Sequence, residues 1–163
     1  MPPDFDSAFA TLVERTRALI AARAIADPRI VGILSGGAWV AERLRAALGI
    51  DAPLGTLDIS FHRDDFARSG LNPTVKPSNL PYDIEGAHLL LVDDVLYTGR
   101  TVRAALNEIF DWGRPASVTL AALVARDGRE LPIEAAAVGM SIELPAGKQI
   151  KLRGPESLRL ELI

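Results

Sequence analysis

Leu89 to Thr101, LLLVDDVLYTGRT, constrains the fold more than any other stretch of the chain. Four apolar residues, Leu89 to Val92, run without interruption into two carboxylates, Asp93 and Asp94. A continuous apolar run bounded in this way reads as a strand covered on both faces. Such strands belong to parallel sheets, whose ligands bind at the carboxyl ends of the strands. The chain is therefore expected to be an α/β protein with its chemistry at Asp93 and Asp94.

The flanking segments supply the remaining units of such a sheet. Asp6 or Ser7 can cap a first helix, whose apolar Phe9, Leu12, Val13, Leu19 and Ile20 follow helical spacing and which ends before Pro28. Ile30 to Leu34 is a short buried strand broken at Ser35-Gly36-Gly37, and Ala38 to Leu48 is a helix stopped by Gly49. Leu54 to Phe61 alternates as a strand. The focal strand is followed by an amphipathic helix, Thr101 to Trp112, ended by Gly113, and by a buried strand, Ser117 to Ala125. The order β-α-β-loop-β-α-β argues for a central, mostly parallel sheet with helices on both faces. Between these units, His62 to Pro81 is polar, with three prolines and two asparagines. A segment of about twenty residues without periodicity is too long for a plain connector and reads as a functional loop. From Arg126 onward only short runs occur, at Ala135 to Val138, Gln149 to Leu152 and Leu158 to Ile163, expected as edge strands of a small subdomain.

Composition narrows the function. A net charge of −3 gives no global nucleic-acid signal, and residues 1–30 carry four arginines (15, 17, 23, 29) against four acids (4, 6, 14, 27). The absence of cysteine excludes thiol catalysis and disulfides. His62 and His88 lack metal-ligand spacing. No apolar run approaches the roughly 20 residues of a membrane span, and MPPDFDSAF has no secretory pattern. A cytoplasmic protein of one domain, residues 1–163, is expected.

The turn after the focal strand is shaped for an anion. Val95, Leu96, Tyr97, Thr98, Gly99, Arg100 and Thr101 offer backbone N–H groups, two threonine hydroxyls and the positive end of the next helix. Gly99 admits close approach. Asp93 and Asp94 would repel that anion unless they bind another part of the same ligand, and ribose hydroxyls with a divalent cation nearby satisfy this. The turn is neither a Walker loop nor a dinucleotide fingerprint. A lone Asp-Asp pair is more readily read as a turn that caps a helix; the T-G-R-T that follows the buried strand makes the ribose 5-phosphate reading the better one.

Leu89 to Thr101 resembles the phosphoribosyl-pyrophosphate (PRPP) signature of type I phosphoribosyltransferases. LDISFHRDDF (57–66), LPYDIEG (80–86), DVLYTGRTVRAAL, GRPASVTLAALV (113–124) and Arg126 with Arg129 to Ile133 are similar to the pyrimidine operon attenuation regulators that double as uracil phosphoribosyltransferases. The resemblance covers roughly residues 30–142. It implies the type I fold, with a flexible loop over the active site and a hood from about residue 126 to 163. It also implies the reaction of uracil with PRPP to UMP and diphosphate, with Mg²⁺ carried by PRPP and met by Asp93 and Asp94. Asp93, Asp94 and Arg63 are then catalytic candidates, with Asp94 a candidate for taking the proton from the base. Residues 95–101 hold the 5-phosphate. Ser35, Gly36 and Gly37 form the pyrophosphate loop, and Asp64 and Lys76 are charges of the flexible loop. Arg126 and Ile150 belong to the base and hood region. The resemblance further implies a homodimer or higher oligomer and, as the alternative function, a nucleotide-sensing attenuator binding pyrimidine-gene leader RNA with little turnover.

Three departures stand out. The family's Thr-Arg-Gly pyrophosphate loop is Ser35-Gly36-Gly37 here, without a guanidinium, and its R-G-H-R-E-L-P is Arg126-Asp127-Gly128-Arg129-Glu130-Leu131-Pro132. The family's basic N-terminal helix is not reproduced.

Overall fold

The alternation of side chains along Leu89 to Val92 divides the molecule into two packed layers. Leu90 and Val92 join the core on one side of the sheet, while Leu89 and Leu91 join the core on the other. Because both faces are covered, apolar residues fill every position of the strand, which is why it reads as an unbroken run. The computed structural model describes residues 2–60 and 78–163. In chain order the described elements are α1 (Phe5–Ala22), β1 (Arg29–Ile33), α2 (Gly36–Leu48), β2 (Gly55–Leu57), β3 (His88–Leu96), α3 (Arg100–Trp112), β4 (Ser117–Arg126), β5 (Ala137–Ile142), β6 (Ile150–Arg153) and β7 (Arg159–Leu162). No described helix is long and apolar enough to cross a membrane.

The main sheet has the order β2-β1-β3-β4-β5, and every pair in it is parallel. Helices α1 and α2 cover one face through Phe5, Ala8, Leu12, Val40, Ala41 and Leu44. Helix α3 covers the other through Val102, Ala105 and Ile109. Helix α1 begins two or three residues earlier than Asp6 or Ser7 would set it, because the Asp4 carboxylate accepts the Ser7 N–H at 2.9 Å and so takes the N-cap. Helix α2 ends at Gly49, which adopts φ 67° and directs its N–H back to the last turn.

Three further sequence expectations change. Strand β2 stops at Leu57 instead of reaching Phe61, because the Asp58 carboxylate accepts from both the N–H and the hydroxyl of Ser60 and turns the chain. Strand β3 does not end at Val92; it continues through both aspartates to Leu96, supported by β4 up to the pair Leu96↔Ala125. The run near Ala135 to Val138 is no part of a separate subdomain. It becomes β5, the fifth strand of the main sheet, whereas β6 and β7 pair with each other in a small antiparallel sheet.

The unequal reach of neighbouring strands makes the site. Pairing between β1 and β3 ends at Gly32↔Val92, so Asp93 and Asp94 project past the last paired residue of β1. The chain also leaves in opposite directions from these two adjacent strands, β2 lying beyond β1 and β4 beyond β3. That is the switch point of an open α/β sheet, where a crevice opens without any special packing.

Candidate functional site

The crevice has a volume of about 180 Å³ and is lined by Ile33, Leu34, Ser35, Gly36, Gly37, Ile59, Asp93, Asp94, Val95 and Thr101. Strand β1 delivers one wall, the Ser35–Gly37 turn and the start of α2; the peptide bond from Leu34 to Ser35 is cis. Strand β3 delivers the other. The glycines have a steric reason to be there. A Cβ on Gly36 would run into the Asp94 carboxylate, and one on Gly37 would lie 2.7 Å from the Val92 carbonyl oxygen. The two walls therefore touch at these positions, Gly36 against the Asp94 side chain and Gly37 against the Val92 backbone, and any side chain at position 36 would start in the space that the Asp94 carboxylate occupies.

The carboxylates differ in environment. Asp93 is buried, 4% exposed, and its Oδ1 accepts the Asp94 N–H at 2.9 Å. Asp94 is half-buried, and its Oδ1 accepts the Val95 N–H at 2.8 Å. Burial pushes the Asp93 carboxyl well above the usual carboxylate range, and the charge of Asp94 beside it pushes in the same direction. No Lys or Arg lines the crevice, so its described walls carry acid without a compensating cation. Among the described residues no group of three or more acids or histidines could hold a metal by itself.

Beyond Val95 the chain turns at Tyr97, Thr98 and Gly99 into α3. Gly99 sits at φ 94° as the N-cap, and no side chain caps the helix. The first N–H groups of such a helix have no intrahelical partner, and no acid occupies its first turn. The Thr98 hydroxyl oxygen accepts the Arg100 N–H at 3.1 Å, which leaves the hydroxyl proton to donate elsewhere. Together these groups offer donors suited to a dianion at the positive end of a helix.

The structure thus brings Ser35, Gly36, Gly37, Asp93, Asp94, Val95 and Thr101 into one crevice, with Tyr97 to Arg100 continuing from it. Leu96 points into the core instead and lends only backbone. Arg100 is ion-paired with Glu130 at 2.8 Å. Arg126 is 9% exposed and committed to the fold: its guanidinium donates to the Lys148 and Asp127 carbonyls and lies 4.1 Å from the centre of the Tyr97 ring. The Ile150 side chain is in the core, so only its backbone faces outward. Arg63, Asp64 and Lys76 lie outside the described residues. Sequence reasoning missed Ile59, which closes the crevice beside β2, and it gave no role to Arg129 and Glu130. The signal for these two was Gly128 between arginines, a turn that sends the following residues back against the phosphate turn.

A phosphoribosyl transferase domain family model matches residues 11–151. Among curated relatives, "Bifunctional protein PyrR" of Pseudomonas savastanoi pv. phaseolicola is 61% identical over 140 residues, covering 86% of this chain and 82% of the relative. The protein of the same name from Pseudomonas fluorescens is 59% identical over 143 residues, covering 88% and 85%. Among solved structures, a hypoxanthine-guanine phosphoribosyltransferase from Bacillus anthracis superposes with a TM-score of 0.66 at 15% identity, covering 87% of this chain and 84% of that one. A hypoxanthine phosphoribosyltransferase from Staphylococcus aureus gives 0.66 at 21% identity, covering 88% and 77%. At such identities the solved structures speak to fold alone.

Proposed function

The chain belongs to the phosphoribosyl transferase domain family and has the type I fold, and on that premise we propose that it transfers the phosphoribosyl group of PRPP to uracil. The products are UMP and diphosphate. The observation that carries this reading is the meeting of Asp93 and Asp94, the Ser35–Gly37 turn and the start of α3 at one crevice. These three surfaces match the three parts of PRPP.

In the transfer, the bond from C1′ to the pyrophosphate oxygen breaks, N1 of uracil bonds to C1′, and the N1 proton is released. Little covalent chemistry is asked of the protein, so positioning and electrostatics must do most of it. The amides and hydroxyls of residues 97–101 hold the 5-phosphate at the helix N-terminus. Asp93 and Asp94 accept hydrogen bonds from the ribose hydroxyls and stabilise the positive charge that develops on the ring as diphosphate leaves. The backbone of Ser35 to Gly37 holds the leaving group without a guanidinium. A hard cation that binds one or two carboxylates together with substrate oxygens suits this donor set, so Asp93 and Asp94 would hold Mg²⁺ jointly with PRPP. When bound there it neutralises leaving-group charge. We place uracil against the β6–β7 hood, near the backbone of Ile150, next to the crevice.

The test is UMP formation from uracil and PRPP, with guanine, hypoxanthine and orotate as competing bases. Turnover with uracil alone supports the reading; turnover confined to a purine or to orotate moves the chain to another base. A second reading rests on the relatives' printed name, which calls them bifunctional: an attenuator that binds pyrimidine-gene leader RNA. Of the N-terminal arginines, Arg15 and Arg17 each donate to a carbonyl of the fold, of Val138 and Ala47, and Arg29 pairs with Asp27. Salt-dependent, UMP-responsive binding to leader RNA tests it. Exposed Phe110 and Trp112 on α3 support self-association as a dimer or larger, which sedimentation would detect.

A further inference from the structure

The phosphate turn is gripped from behind. The Tyr97 carbonyl accepts from Arg129 Nη1, and the Thr98 carbonyl accepts from the Glu130 and Leu131 N–H groups at 2.9 and 3.1 Å. A peptide unit is planar and trans, so its N–H points opposite to its C=O. Holding the Tyr97 carbonyl toward residue 129 turns the Thr98 N–H the other way. Holding the Thr98 carbonyl toward residues 130 and 131 does the same to the Gly99 N–H. From this geometry we propose that Arg129, with the 130–131 backbone, is a positioning device for the 5-phosphate: it touches no substrate but aims the Thr98 and Gly99 amides at it. The proposal rests on the phosphoribosyl-transfer reading, because that reading supplies the phosphate.

The neighbourhood is built to keep this grip in place. Arg129 also donates to the Arg126 carbonyl at 3.3 Å and pairs with Glu134 at 3.2 Å, which fixes its guanidinium at both ends. Gly128 lies at φ 114°, and a Cβ there would meet the Tyr97 ring, so the turn carrying Arg129 packs flush against the residue it holds. The Arg126 guanidinium lies over the same ring. The Arg129 side chain is only 21% exposed, so these contacts are made by a half-buried arginine and not by one extended into solvent.

The experiment is calorimetric titration of the full chain with ribose 5-phosphate and, separately, with magnesium pyrophosphate, in the native protein, Arg129→Ala and Arg129→Lys. Thermal melting shows that each variant is folded. The expected result is that Arg129→Ala weakens ribose 5-phosphate by about tenfold, the scale of one charged hydrogen bond, and leaves pyrophosphate within about twofold. Arg129→Lys keeps a donor and recovers part or all of the loss. Unchanged ribose 5-phosphate binding in Arg129→Ala, equal loss of both ligands, or no recovery with Lys would overturn the proposal alone. Failure of the native protein to bind ribose 5-phosphate would overturn the phosphoribosyl-transfer reading with it.

Discussion

Asp93 sits under opposing demands. Its burial and its neighbour Asp94 raise its carboxyl well above the usual range, so ionising it disfavours the empty folded state. In the unfolded chain the same group ionises near pH 3.9. Below that pH it is protonated in both states and costs nothing. As pH rises toward the raised folded value, stability falls by about 1.4 kcal/mol per pH unit, then levels off above it. Asn at this position keeps an oxygen for the Asp94 N–H and never ionises. Asp93→Asn in metal-free buffer is therefore expected to melt above the native protein at pH 7 and to lose that advantage below about pH 4. Melting curves across that pH range check this, and a gap independent of pH would contradict it. Gly36 tests the other wall. Because its Cβ would collide with the Asp94 carboxylate, Gly36→Ala should cost on the order of tenfold to a hundredfold in turnover, with little change in urea unfolding.

Strands and helices position these residues by simple means. Helix α2 carries the glycine turn, and its grip on the sheet comes from fully buried Val40, Ala41 and Leu44. Leu44→Ala should lower unfolding free energy by about 2–5 kcal/mol in a denaturant titration while leaving a functional crevice in the folded fraction. Arg126 joins three elements, the end of β4, the phosphate turn and the loop before β6, through Tyr97 and the Lys148 carbonyl. Its truncation to Ala should raise KM for PRPP and for uracil together, each by about tenfold, whereas a contact with the base alone would move only the uracil value. The parts of this scale that were legible beforehand share a cause. Leu89 to Val92 and Ser117 to Ala125 are buried on both faces, so every residue reports its location. Ala135 to Val138 is short and alanine-rich, and only its register with Ala121 to Arg126 decides that it joins the main sheet. Strand β2 was overextended because alternation continued past Asp58, while the Asp58–Ser60 turn overrode it.

Over the whole molecule, the site is the place where the strand order reverses, between β1 and β3, and that explains why local sequence disclosed so much of it. Asp93, Asp94 and Thr101 lie in one strand-turn-helix unit, so their spacing was sufficient. Ser35 to Gly37 joined them through the single parallel contact of β1 with β3. The packing of Arg126 over Tyr97, and the support of the turn by Arg129 and Glu130, come from a distant segment folding back, which no periodicity records. On the proposed function, the acids at the end of β3 act on the ribose of PRPP. The most direct test of this is the rate of UMP formation from uracil and PRPP in the native protein beside Asp93→Asn and Asp94→Asn. Readily measured turnover is expected in the native chain, with a loss on the order of a hundredfold or more in each variant. Variants that match the native rate would contradict it.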